Sequence, residues 1–282
     1  MKLIHLTDPH FVPHGRKLYG LDPAARLRAA IEDIQRRQRD ARFVLITGDL
    51  AHEGDVAAYV ALRAVLATLE LPYYLLLGNH DARAAFCGVF PEAALDAHGF
   101  VQQVLETEAG PFLLLDTHQP GTHQGWYCET RLAWLDAQLA ALGGRRAFLA
   151  MHHPPLAVGL PAMDAFGLVQ QPAFAEVLAR HGNVRHIFFG HIHRPVHGAF
   201  GGITFSTQRA LNHQVAPCFV ETPGRILGSH EPPAYSIVSI DPDQLLIHEV
   251  EFLDASPRFD LFDPQAAGAQ DPAALAGRML ER

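Results

Sequence analysis

Histidine and carboxylate recur in this chain at one kind of place, directly after a short apolar run. LIHLT leads to Asp8 and His10, and FVLIT to Gly48-Asp49. YYLLL leads to Gly78-Asn79-His80-Asp81, AFLAM to His152-His153, and HIFF to Gly190-His191-Ile192-His193. Imidazole with carboxylate, and no thiolate, suits Zn, Fe, Mn or Co. A carboxylate has two oxygens and can bridge two ions, and dinuclear hydrolytic sites hold their metals about 3.5–4 Å apart. In an extended segment the spacings Asp8-x-His10 and His191-x-His193 put both side chains on one side. A single pair of this kind is more often chance than a site. Asp, Asn and Gly also favour turns and caps for reasons unrelated to ligands. That preference accounts for Asp8 and Asp49 as caps, but not for histidines clustering with them.

The apolar runs are the elements that would position these groups. Strands are predicted at 2–7, 43–47 and 73–77, and further along at 100–106, 111–116, 146–151 and 184–189. A helix is predicted from about Asp22, where Asp22-Pro23 reads as N-cap and N1 and Leu27, Ile31 and Ile34 share a face. The next helix carries Val56, Val60, Leu62, Val65, Leu66 and Leu69, and others are predicted at 130–142 and 172–181. This βαβαβ rhythm implies parallel strands covered by helices. The carboxyl ends of such strands form the crevice where ligands bind, so five of them would deliver all these groups to one rim. Glycines 48, 78 and 190 suit tight turns that bring backbone close to a site. After residue 195 the chain changes to short strands at 196–200, 203–207, 235–240 and 244–252, with Pro- and Gly-rich loops that include 222–233. These predict an antiparallel addition to the core, a small cap or oligomerisation insert near 208–234, and a loosely packed tail from Asp254.

Bulk properties narrow the setting. A chain of 282 residues that is 49% hydrophobic can bury a substantial core, which excludes a disordered protein. The N-terminus runs into charge within eight residues and reads as a strand rather than a signal peptide. No apolar stretch approaches the roughly 20 residues that span a bilayer. Cys87, Cys128 and Cys218 are scattered, with no CxxC pair, which argues against disulfides or a thiolate zinc site. A soluble cytoplasmic protein without a membrane partner is expected. The net charge of −8 would repel a polyanion, so a nucleic-acid polymer is not expected as a partner. A small phosphate ester can still bind where metals reverse the local charge. Histidines number 18, close to the 22 lysines and arginines, so their positions matter more than their number.

Taken together, Asp8-Pro9-His10, Gly48-Asp49, Gly78-Asn79-His80-Asp81, Met151-His152-His153-Pro154-Pro155 and Gly190-His191-Ile192-His193 resemble the five motifs of calcineurin-like metallophosphoesterases, over about residues 1–210. Lys17-Leu18-Tyr19-Gly20, His152-His153-Pro154-Pro155-Leu156 and His213-Gln214-Val215 resemble the bacterial glycerophosphodiesterase and class III cyclic-nucleotide phosphodiesterase branch. The resemblance implies an α/β fold, a four-layer αββα sandwich of two mixed sheets, in a domain spanning 1–253. Residues 208–234 would then be its cap or oligomerisation insert and 254–282 its tail, in a homo-oligomer that is a dimer or a multiple of one. It implies two divalent metal ions, one held by Asp8, His10 and His193, the other by Asn79, His152 and His191, with Asp49 bridging. His152 is preferred over His153, which is left to packing, and Asp81 is expected to orient His80. The implied reaction is in-line attack by a metal-bound hydroxide on a small phosphodiester, either a glycerophosphodiester or a cyclic nucleotide, without a phosphoenzyme. Asp49 and His80 are the expected catalytic residues, with His80 beside the phosphate. Asn79, His80, His213 and Tyr19 are expected to contact substrate, although Tyr19 could equally pack on Leu18 or Leu21. His14, His52, His118, His123, His230 and His248 are expected in solvent, and His186 packed in its strand.

Competing classes fit less well. Serine/threonine protein phosphatases resemble GDxVDRG at the second motif, whereas this chain has Gly48-Asp49-Leu50-Ala51-His52-Glu53-Gly54 and lacks the substrate-binding arginine. A nuclease would want a basic track, and the HxHxDH run of metallo-β-lactamases is absent. Two alternatives stay open. One is a broad phosphomonoesterase/phosphodiesterase. The other is a non-catalytic metal-binding scaffold, against which stands a competent donor at every matching position.

Overall fold

The computed structural model describes residues 1–220, 225–259 and 261–262. The chain divides into two units, Met1–Phe252 and Leu253–Arg282. Most of the tail expected from Asp254, and part of the loop expected at 222–233, lie outside the described residues. The first half of the fold runs β1 (Lys2–Leu6), α1 (Pro23–Arg37), β2 (Val44–Ile46), α2 (Val56–Leu66), β3 (Tyr73–Leu75), α3 (Arg83–Val89), β4 (Gln103–Leu105) and β5 (Phe112–Leu114). It continues with α4 (Glu129–Ala141), β6 (Ala147–Ala150), α5 (Pro161–Asp164), α6 (Gln171–His181), β7 (Val184–Phe188), β8 (Val196–Phe200) and β9 (Ile203–Thr207). The last strands are β10 (Gln214–Val215), β11 (Gly228–Ser229), β12 (Tyr235–Ile240) and β13 (Leu245–Val250).

Two mixed sheets result, ordered β13-β12-β1-β2-β3 and β4-β5-β6-β7-β9-β8. Strands β1, β2 and β3 run parallel, as do β5, β6, β7 and β9. Alternation along each strand makes four layers from them, because successive side chains point to opposite faces. Ile4 and Leu6 of β1 pack with Leu27, Ile31 and Ile34 of α1 and Leu62 of α2, while Leu3 turns the other way. In β6, Ala147 and Leu149 meet Leu135 and Leu139 of α4 and Phe174 of α6. Phe148 and Ala150 face Leu3, Leu45 and Val238 across the gap between the sheets. Both faces of these strands are therefore buried, which is why their sequences read as unbroken apolar runs. The fold is the expected αββα sandwich.

Local signals explain the elements that were predicted well. Asp22 Oδ1 accepts the amide of Ala25 at 3.0 Å, and Pro23 occupies the first turn of α1. Helix α2 differs from expectation: Val56 and Val60 are exposed, and its buried stripe is Ala58, Tyr59, Leu62, Val65 and Leu66. Helices α3 and α5 were not predicted. The region near 208–234 contains the short antiparallel pair β10–β11, in which Gln214 faces Ser229. Among the described residues, no helix is long and apolar enough to cross a membrane.

Candidate metal centre

The loops following β1, β2, β3, β6 and β7 meet at one edge of the sandwich, and backbone hydrogen bonds hold them in register. Asp8 N donates to Gly48 O (3.2 Å), His10 N to Asp49 O (2.9 Å) and Gly190 N to His152 O (3.1 Å). The amide of His191 donates to both oxygens of Asp8 (3.2 and 3.1 Å), tying one sheet's loop to the other's. Asp8, His10, Asp49, His191 and His193 all have left-handed backbone, with φ of 52°, 45°, 47°, 69° and 52°. Each such residue costs about 1–3 kcal/mol, and concentrating five at one rim is the pattern of a functional site. The segments 8–10 and 191–193 are therefore not extended, and it is the paired turns that bring their side chains together. Of the three glycines, only Gly48 has positive φ. Gly78 and Gly190 serve close approach instead: a Cβ at 78 would strike Asp49 Oδ1, and one at 190 would strike Thr7 Oγ1.

Within this rim, Asp8, His10, Asp49 and His193 each offer a ligand atom within 4.8 Å of the others, as do His152, His153 and His191. His10 Nε2 lies 3.1 Å from His193 Nε2 and 3.4 Å from Asp49 Oδ2. His193 Nε2 lies 3.3 Å from Asp8 Oδ1. On the other side, His152 Nε2 lies 3.4 Å from Asp49 Oδ1 and 3.1 Å from Asn79 Oδ1. Asp49 thus turns one oxygen to each group.

Proton positions test whether cations fit. Nδ1 of His152 donates to Thr47 O (2.7 Å), so its Nε2 carries a lone pair. Asn79 Nδ2 donates to His123 Nδ1 (2.9 Å), which turns Oδ1 towards that same lone pair. Nδ1 of His193 donates to His213 O (2.7 Å), which turns its Nε2 towards the cluster. Among the described residues His191 Nε2 is buried without a hydrogen-bond partner. Imidazole nitrogens and carboxylate oxygens converge here at 3.1–3.4 Å, an arrangement that a cation satisfies, so the donor set fits divalent metals. Burial, reinforced by neighbouring imidazoles, holds His10 and His191 well below the usual histidine range, in the neutral form that binds metals. Burial works against ionising Asp8, yet His193, His152 and the Thr7 hydroxyl outweigh it and keep the carboxylate below its usual range. Burial also opposes a proton on His193, but the charges of Asp8 and Asp49 overcome it and raise that imidazole.

A cleft of about 760 Å³ opens over the rim, lined by His10, Asp49, Asn79, His80, His191 and His193. Its outer wall includes Tyr19, His213, Met163, Phe166 and Ile226. Tyr19 is 58% exposed and sets its ring against that of His213, with 4.8 Å between centroids, so it belongs to the cleft and does not pack away on Leu18. Several expectations need correction. Asp81 does not touch His80: its carboxylate accepts the amides of Leu50, Ala51 and Gly78 and the hydroxyl of Tyr59, locking two loops together. The imidazole of His80 is oriented instead by His52, whose carbonyl accepts from Nδ1 at 2.7 Å. His52 is not solvated; its ring stacks on His80 at 4.8 Å and 16°. His118 is buried and hydrogen-bonds Gly78 O. His123 and His230 are exposed yet engaged, His123 with Asn79 and His230 with Tyr19 O. His153 is buried, its Nδ1 on the Thr117 hydroxyl. A histidine in a loop has no periodicity to reveal its direction.

The chain is similar to several known proteins. Residues 1–195 match the model of the calcineurin-like phosphoesterases. The chain is 47% identical over 269 residues to a Rhodopseudomonas palustris protein named "Probable cyclic nucleotide phosphodiesterase", covering 94% of this chain and 98% of that one. It is 30% identical to the glycerophosphodiester phosphodiesterase GpdQ of Enterobacter lignolyticus, covering 79% and 81% of the two chains. Among solved structures, a dimetal phosphatase from Danio rerio superposes with a TM-score of 0.66 at 15% identity, covering 90% of this chain and 96% of that one.

Proposed function

The chain belongs to the calcineurin-like phosphoesterase family, and from that premise we propose that it hydrolyses small phosphodiesters, glycerophosphodiesters or cyclic nucleotides, with two divalent metal ions. The observation that carries the proposal is Asp49 set between the two groups, with Oδ2 3.4 Å from His10 Nε2 and Oδ1 3.4 Å from His152 Nε2. Asp8, His10 and His193 would hold one ion, and Asn79, His152 and His191 the other. Asp49 would serve both through its two oxygens. Bound there, such cations would acidify the attacking water and neutralise the non-bridging phosphate oxygens. His80 commits Nδ1 to the His52 carbonyl, which leaves Nε2 for a phosphate oxygen or for the departing alkoxide. Tyr19 and His213 would contact the leaving alcohol from the outer wall of the cleft. Asn79, held through Nδ2 by His123, would contact the phosphate side.

Around this centre, residues 1–253 form the catalytic domain, 208–234 its cap and 254–282 a tail, in a cytoplasmic enzyme acting on small substrates and not on nucleic-acid polymers. Exposed Phe219, Val220, Ile226 and Leu227 beside the β10–β11 pair support a homo-oligomer, which light scattering on the purified chain would reveal. Activity is tested by supplying Mn or Co to chelator-treated protein with bis(p-nitrophenyl) phosphate. Colour that depends on metal and is lost again with chelator is the expected result, and its absence would favour a scaffold. A panel of glycerophosphoethanolamine, cyclic AMP, 2′,3′-cyclic AMP and p-nitrophenyl phosphate then ranks the substrates and exposes any broad monoesterase activity.

A further inference from the structure

An imidazole that ligates a metal through one nitrogen carries its proton on the other, and that N–H needs an acceptor. Two of the candidate ligands use backbone: His152 donates to Thr47 O and His193 to His213 O, each at 2.7 Å. His10 differs. Its Nε2 faces His193 and Asp49, so its Nδ1 is the nitrogen turned away from the cluster. That Nδ1 lies 3.3 Å from Nδ1 of His52, its only partner among the described residues. One of these two nitrogens carries the hydrogen. A proton on His52 Nδ1 would leave His10 protonated at Nε2, with an N–H where the cluster needs a lone pair.

We infer that His52 is a positioning residue for His10: it accepts the Nδ1 hydrogen of His10 and so fixes the tautomer that presents Nε2 to a cation. The hydrogen of His52 itself then sits on Nε2, on the side of Glu53, whose carboxylate is 3.7 Å away. The backbone explains why the two rings meet, because His52 N donates to Phe11 O (2.8 Å) and Phe11 N to Leu50 O (2.9 Å). These parallel loop contacts place residue 52 beside residue 10. The same residue also orients His80 through its carbonyl and its stacked ring. His52 therefore links a proposed metal ligand to the group proposed to meet the phosphate, and only the first link depends on its side-chain acceptor.

The inference rests on the proposed role of His10 as a ligand, and metal binding by the apoprotein separates the two. Equilibrium dialysis of chelator-treated protein against Mn or Co gives stoichiometry and dissociation constants without reference to turnover. If the wild-type chain takes up no metal, the metal centre itself fails, and this inference with it. If it binds metal, His52→Leu is expected to weaken binding at one site about 10–100-fold at unchanged stoichiometry. His52→Asn puts a carbonyl oxygen at the same bond separation from Cβ as Nδ1, so it should bind within about 3-fold of wild type. His52→Gln carries its acceptor one bond further out and should resemble the Leu variant; the Asn–Gln pair keeps the test open should His52→Leu fail to fold. Wild-type affinity in His52→Leu or His52→Gln would overturn the inference. So would the loss of one equivalent of metal with the remaining affinity unchanged, because that would make His52 itself a ligand.

Discussion

Histidine does three different things in this molecule, and its neighbours decide which. At the rim, imidazoles face carboxylates and one another, and burial keeps His10 and His191 neutral. In the loop after β2, His52 supports others. In β7, His186 is simply packed, with its nitrogens on the hydroxyls of Thr204 and Ser206, each at 2.8 Å. The clustering of the candidate ligands at one rim was legible in the sequence because an apolar strand that stops on Asp, Asn or His exposes a polar group at a defined edge. His52 and His118 were not, because nothing in a loop sequence states which way a ring points. His186 yields a prediction independent of catalysis. Burial, helped by the charges of His5 and His197, lowers it to about 3. Below the ordinary histidine value near 6.5 the unfolded chain therefore gains a proton that the folded chain refuses. Its contribution to stability is complete above about pH 6.5 and is lost as pH falls towards 3, at up to about 1.4 kcal/mol per pH unit. Urea titrations of His186→Asn between pH 6 and 4 should show a shallower decline than wild type by up to that amount. Parallel lines for the two proteins would mean that the buried imidazole accepts protons freely.

Elements were legible in proportion to their length and to the strength of their end signals. Helix α1 announces itself with Asp22-Pro23 and a three-residue apolar stripe, and the strand runs of the two sheets are apolar on both faces. Helix α3 has seven residues and no side-chain cap, α5 has four, and β10 and β11 have two each, too short for any period to emerge. The loops between elements carry more information than their lengths suggest. Asp81 gathers the amides of Leu50, Ala51 and Gly78, so the turns after β2 and β3 form one unit, and the role expected of it at His80 was misplaced for that reason. Gly78 is where this unit is tightest. A methyl group there would meet the Asp49 carboxylate, lie 2.5 Å from its backbone nitrogen and 2.7 Å from His152 Nε2. Gly78→Ala should keep its far-UV circular dichroism yet lose about 100-fold in metal-dependent turnover, the scale expected when a reacting group is displaced by about 1 Å. Full turnover in a folded Gly78→Ala protein would show that the position of Asp49 is not critical.

At the scale of the molecule, the two sheets share a core of Leu3, Leu45, Phe112, Phe148, Phe188 and Val238, and the rim lies where they come together. Asp8, His10, Asp49 and Asn79 follow strands of the five-stranded sheet, while His152, His191 and His193 follow strands of the six-stranded one. A cation bound among them would fasten one sheet to the other, and the unfolded chain has no equivalent site. Metal binding must then appear as global stability through linkage, amounting to about 2.7 kcal/mol at a concentration 100 times the dissociation constant. For a domain of this size that corresponds to a rise in Tm of roughly 5–10 °C. Differential scanning calorimetry of chelator-treated protein, before and after addition of Mn or Co, should show the increase, and added chelator should reverse it. Asp49→Ala removes the one carboxylate that faces both groups and should abolish most of the shift while leaving the metal-free Tm comparable or higher, since a buried charge is lost. An unchanged Tm at saturating metal would mean that the side chains converging at this edge do not hold a cation, and the hydrolytic proposal would lose its physical basis.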